Sequence, residues 1–330
     1  MPKARKQLDL RDIGARLRAY RLGARSGAGT LARRLGVSRA ALYRIEAGQM
    51  IKIEVLERLA GVLGTSLASL LGAEVEYHAR ALSYFSRMRQ LEANAERIVA
   101  HFNPLSYLLT SDAYSAAMRV MLDEAVPEDP RVRRRASEEA RAVWEILEAR
   151  KRAARSRRPA IVNLVGVPEI ERLLDIGLLG RLDLPPAVRE ERRRLAQQEV
   201  EHLARLMESE PFGVQIGLVE DTLPNVTFQL FYSAHDVRLA VSPFRLGELP
   251  NVRIGVATVT AAREAVSLYE TLVKDLWARA LRGTAGARRL RALNSRESST
   301  PHRAPPTTRR VSAGSAPLRP RLAARNSRPS

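Results

Sequence analysis

The chain has no cysteine among its 330 residues, which excludes a disulfide framework, a thiolate metal site and a cysteine nucleophile. Other catalytic residue types are sparse or scattered. The five histidines, His78, His101, His202, His235 and His302, include no pair at metal-ligand spacing. Glu199-Val200-Glu201-His202 lacks the second histidine of a zinc-peptidase helix, and no Ser-Lys pairing motif is visible. Gly177 and Gly180 flank Leu178-Leu179 without the lysine or the spacing of a phosphate-binding loop. These absences predict a protein that is not an enzyme and that needs no metal or cofactor. No apolar run approaches the length of a membrane span, and Met1-Pro2-Lys3-Ala4-Arg5-Lys6 does not lead into a signal-peptide core. The expectation is a cytoplasmic chain with no membrane partner.

What the chain has in excess is positive charge, +19 in all, and it is unevenly placed. Residues 1–72 carry 14 Lys and Arg against 5 Asp and Glu, a net +9. Residues 73–282 carry 30 of each, and residues 283–330 carry 11 against 1. Both ends therefore attract polyanions while the middle has the charge of an ordinary folded domain. A chain of this length has room for two or three domains.

The most informative stretch is Leu31 to Gly48, which predicts two short helices around a tight turn. Leu31 and Leu35 share one helical face, and Leu42 and Ile45 share the next. Gly36 can end the first helix in the left-handed conformation, Val37 can plug the corner, and Ser38 can cap the second helix. Arg39, Ala40, Tyr43 and Arg44 are left on the outer side, where guanidinium groups suit phosphates or the O6 and N7 of guanine.

This pattern resembles the lambda-repressor/Cro-like (XRE-type) helix-turn-helix family over roughly Asp9 to Gly72. The resemblance rests on Ile13 to Arg21, the Leu35-Gly36-Val37-Ser38 turn, the Ile45-Glu46-Ala47-Gly48 exit, Leu56 to Ala60, and Leu63-Gly64. It implies a five-helix domain over residues 1–72 with a recognition helix at 38–47. Ser38, Arg39, Ala40, Tyr43, Arg44 and Lys52 would then meet DNA, and Arg21 would pair with Glu46. Two departures weaken the anchor. Ser26-Gly27-Ala28-Gly29 stands where the family has a capping hydroxyl and a phosphate-binding glutamine, and Lys52-Ile53 replaces the usual cap before the fourth helix.

Behind this head, the proline-free run from Glu74 to Phe102 predicts one connecting helix at 73–104. Helices follow at Ser111 to Glu124 and Arg131 to Arg155. The clusters Arg133-Arg134-Arg135 and Arg150-Lys151-Arg152 are interleaved with glutamates, which reads as a solvated face, with Glu148 four before Arg152. Five strands are predicted at Ile161–Val165, Val214–Leu218, Val226–Tyr232, Val237–Val241 and Val252–Val256, with helices at Pro186 to Met207 and Thr260 to Leu281. Phe212, Phe228, Phe231, Tyr232 and Phe244 either fill the core of this α+β region or line a cavity for a small ligand. From Gly283 the Arg-, Ser- and Pro-rich tail shows almost no apolar period and predicts disorder. A role on DNA phosphates and an extension without a role both fit it.

The expectation is thus an α+β multidomain chain: head 1–72, connecting helix 73–104, effector or partner-binding domain 105–282, and a basic tail 283–330. The order of elements in the third part resembles, more loosely, the effector domain behind the same head in bacterial, especially actinobacterial, regulators. The two resemblances imply a nucleoid-associated transcriptional regulator that binds double-stranded DNA as a homodimer and senses a small molecule or a protein. The alternative is an antitoxin-like or adaptor protein that grips a partner and uses DNA only to regulate its own gene.

Overall fold

The computed structural model describes residues 10–24, 26–49, 52–71, 75–102, 104, 106–221 and 223–299. The basic arm at Lys3, Arg5 and Lys6 and the tail beyond 299 lie outside the described residues. The head consists of α1 (Leu10–Gly23), α2 (Ala28–Leu35), α3 (Arg39–Glu46), α4 (Ile53–Leu63) and α5 (Leu67–Leu71). Their spacing of apolar residues turns Leu17, Leu31, Leu42, Leu59 and Leu70 inward, and each is fully buried. Gly36 and Gly64 end α2 and α4 at φ +69° and +67°, a conformation that favours glycine.

The next segment corrects the expected connecting helix. Residues 75–101 form β1 (Val75–His78), α6 (Ala81–Asn94) and β2 (Arg97–His101). Absence of proline permits a helix without requiring one, and here long-range pairing decides. β1 pairs antiparallel with β7 (Ala257–Thr260), and Ile98-Val99 enters the middle of the sheet.

The remaining elements are a 3-10 turn (Tyr107–Leu109), α7 (Asp112–Glu124), α8 (Pro130–Arg157), β3 (Ala160–Gly166), α9 (Val167–Ile176), α10 (Pro186–Ser209), β4 (Val214–Val219), β5 (Thr227–Tyr232), β6 (Val237–Ser242), α11 (Arg263–Arg279) and α12 (Gly283–Ser299). One seven-stranded sheet runs in the order β1-β7-β6-β5-β2-β3-β4. β2, β3 and β4 are parallel, joined by the helical crossovers α7-α8 and α9-α10, and the other pairings are antiparallel. Both faces are covered. Ile98, Ala100, Ile161 and Val165 face α6, α8, α10 and α12, while Val99, Phe228, Leu230 and Leu164 face α11. A strand covered on two sides is apolar on both, which is why Ile161 to Val165 lacks alternation, with Asn163 as its one buried polar side chain.

Four further expectations change. Val252 to Val256 is not a strand: Val252 is buried, Ile254 and Val256 are exposed, and the strand begins only at Ala257. Phe212 is 99% exposed, whereas Phe228, Phe231 and Phe244 are core residues. Arg150 and Lys151 are buried: Arg150 pairs with Glu92, and Lys151 Nζ donates to Ser111 O (2.6 Å), Ser115 Oγ (2.7 Å) and Thr110 Oγ1 (3.2 Å). Glu148 accepts from Tyr107 Oη at 2.7 Å. Finally, the first part of the supposed disordered tail is α12, with Ala287, Leu290 and Leu293 buried in the main core and Asn294 donating to Gln197 O of α10. Arginines at 288, 289 and 291 disguise that apolar stripe, and Arg289 and Arg291 pair with Glu220, Glu201 and Glu208.

Candidate DNA interface

α2, the Gly36-Val37-Ser38 turn and α3 form a helix-turn-helix. Ser38 sits in extended conformation, and its Oγ accepts from Ala41 N at 3.0 Å, which satisfies one free amide of the first turn. Leu42 is buried and Val37 and Ile45 pack on the same core, so the other side of α3 faces out. Arg39, Ala40, Tyr43 and Arg44 are all exposed there. Arg39 Nη2 donates to Tyr43 Oη at 3.1 Å and lies over the ring, 5.5 Å from its centroid. The pair presents one guanidinium and one phenol at adjoining turns of the helix. Arg44 has no ion pair to a described residue.

The inner side of α3 is fixed to α1. Arg21 donates from Nε and Nη2 to the two carboxylate oxygens of Glu46, at 2.5 and 2.9 Å, with both side chains largely buried. The hydrogen bond to Glu46 holds the Arg21 pKa above its usual value, with burial opposing. Two parallel N–H···O bonds set angle as well as distance. Gly14 completes the fit, because a Cβ there would stand 2.5 Å from the carbonyl oxygens of Ile45 and Glu46.

The supporting helices are more weakly anchored. Gly27 and Lys52 occupy the N-cap positions of α2 and α4 without a side-chain cap, and Ala28 is buried. Lys52 is exposed at the start of α4. Arg33 and Arg34, in the last turn of α2, are exposed basic residues that the sequence reading did not single out.

A second site, between head and body, was also missed. Arg87 of α6 grips Glu76 of β1 through Nε (2.9 Å) and Nη2 (3.0 Å) and reaches Asp12 of α1 at 3.2 Å. Arg238 of β6 holds Asp12 at 2.5 Å, and Arg16 donates to Asp12 and to the carbonyls of Leu70 and Leu71. Burial alone would raise the Glu76 carboxyl, but Arg87 and Arg16 hold it far below the usual carboxylate range, and Asp12 is lowered in the same way by Arg87, Arg238 and Arg16. Alongside, burial lowers His78, whose Nδ1 lies 2.8 Å from Ser83 Oγ. Asp12 and Arg16 lie four apart on one helix, and the other partners come from β1, α6 and β6.

Residues 29–70 match a family model described as helix-turn-helix, of the XRE type, which suggests a regulator that binds double-stranded DNA. No curated protein matches the chain. The match ends before β1, so the likeness of the body to an effector domain gains no support from it. No helix among the described residues is long and apolar enough to cross a membrane.

Proposed function

We propose that the protein is a sequence-specific transcriptional regulator that inserts α3 into the major groove and acts by binding, without catalysis. The observation that carries this reading is the exposed Arg39, Tyr43 and Arg44 row on a capped helix whose other side is clamped by Arg21–Glu46. Such a helix offers base-reading donors in a fixed orientation. Ser38, Ala40 and Lys52 supply the remaining contacts in this reading, with Arg33, Arg34 and Lys52 on phosphates. Two copies would meet half-sites about 34 Å apart on a near-palindromic operator. The body would then couple a signal to DNA affinity.

Selection of duplexes from a random pool tests the reading. The full chain is expected to enrich one near-palindrome, and Arg39→Ala to weaken its binding by about 1–3 kcal/mol and lose preference at one position of each half-site. Enrichment of the same site with unchanged preferences would remove Arg39 from base contact, and failure to enrich any sequence would overturn the regulator reading.

A further inference from the structure

Where the head meets the body there is a cavity of about 740 Å³, inside the range of about 300–1,000 Å³ typical of small-molecule sites. Tyr20 of α1 and the turn residues Thr65 and Ser66 wall it from the head, and Tyr77, Arg80 and Ser83 wall it from the body. Arg80 is the one charged side chain among its described lining residues. No described residue pairs with that guanidinium, and none of the described lining residues is acidic. Arg80 is also the N-cap of α6, a fourteen-residue helix whose first turn has no acidic residue and no side-chain cap. The amides of that first turn add to the positive field at this end of the cavity. At the wall, Tyr20 is only 6% exposed, and its buried hydroxyl sits beside the hydroxyls of Thr65 and Ser69 and the Tyr77 backbone without a well-aligned hydrogen bond to any of them. Most of the lining surface is apolar, and hydroxyl groups of Thr65, Ser66 and Ser83 supply short-range polar contacts.

From these features we infer that the cavity binds a small molecule with a flat apolar body and a single oxyanion, a carboxylate or phosphate, with Arg80 as its counter-charge. A neutral apolar compound would leave Arg80 unanswered, and a cation would be repelled. Because the walls belong to α1 and α5's turn on one side and to β1 and α6 on the other, an occupant touches both halves. Any difference in its affinity between DNA-bound and free protein must appear equally as a difference in DNA affinity. That coupling rests on the regulator reading, whereas the site itself does not.

The test uses the full chain and two fluorescent probes with the same rings: 1-anilinonaphthalene-8-sulfonate, which carries an anion, and N-phenyl-1-naphthylamine, which does not. The sulfonate is expected to saturate at one molecule per chain. Arg80→Gln should weaken it tenfold or more and change the neutral probe less than twofold, and Ala79→Trp, which fills the space, should weaken both tenfold. Arg80 is half-buried and has no described partner, so an unchanged melting temperature for Arg80→Gln reports an intact fold. Absence of saturable binding, or sulfonate affinity unaffected by Arg80→Gln, overturns the site. Operator binding with and without the sulfonate reads the coupling separately: a chain that selects no DNA refutes the regulator reading and leaves the probe result to stand or fall alone.

Discussion

A charged side chain buried in this protein is costly to orphan. Removing one member of a buried, hydrogen-bonded ion pair typically costs about 3–5 kcal/mol, because the other charge is left without water or partner. Arg21→Ala is therefore expected to destabilise the head by roughly 3 kcal/mol in urea unfolding and to weaken DNA binding more than an exposed arginine of α2 would. Gly61 gives the opposite case. It lies exposed within α4, a Cβ there meets nothing within 4 Å, and Gly61→Ala should stabilise by about 0.5–1 kcal/mol without affecting DNA affinity. Titration of the buried histidines adds a pH dependence. Burial lowers His78 and His101 from their usual 6.5, so below that value the unfolded chain takes up protons that the native state refuses. Stability should be full above pH 6.5 and fall on acidification, with Glu76 and Asp12 adding a loss of the same sign below their ordinary 4.5 and 3.8. Melting temperatures from pH 8 to 5 check this, and His78→Gln should flatten the upper part of the slope. At this scale the capping Ser38 could be read directly, since its target is three residues away. Arg150 and Lys151 could not, since Glu92 and Thr110 lie about 40 to 58 residues off and nothing local distinguishes a buried arginine from a solvated one.

Helices with a clear apolar stripe and a stop signal were readable as elements, and strands were readable where they alternate or, as at Ile161 to Val165, are apolar but for one residue. α7 begins after Ser111, whose Oγ accepts from Tyr114 N, and α8 begins at Pro130 behind the Asp129 cap. β1 and β2 were hidden for different reasons. Val75 to His78 is four residues long and gains its identity only from pairing with β7, and Arg97 to His101 follows a helix with no proline or glycine between them. α12 was hidden by composition, since arginines are interleaved with its few buried residues and mask the apolar stripe. Its removal should expose the surface beneath Leu290 and Leu293. A chain ending at Arg282 is expected to melt several degrees lower than one ending at Ser299, as measured by calorimetry.

For the molecule as a whole, α1 is shared property. It carries Leu17 and Tyr20 into the head core, Arg21 to the recognition helix, and Asp12 and Arg16 to the body, while Gln90 of α6 donates to Ala15 O at 2.9 Å. Head and body accordingly fall in one compact unit. Arg238→Ala should leave α3 protected but speed amide exchange in α1 and β1, because Asp12 loses its shortest ion pair. Exchange unchanged in both elements would mean that the contacts of Arg87, Arg16 and Gln90 secure the junction without Arg238.

The same ion cluster bears on how such a chain can be cut and recombined. A break after residue 72 looks natural by charge, yet it would leave Asp12 and Arg16 on one fragment and Glu76, Arg87 and Arg238 on the other. Grafting this head onto a foreign body would strand Asp12 and Arg16 at a largely buried seam, and a foreign head on this body would strand Arg87 and Arg238 there with only Glu76 to answer them. The DNA-reading half is thus not an interchangeable cassette: a working chimera must carry α1, β1, α6 and the Arg238 strand together.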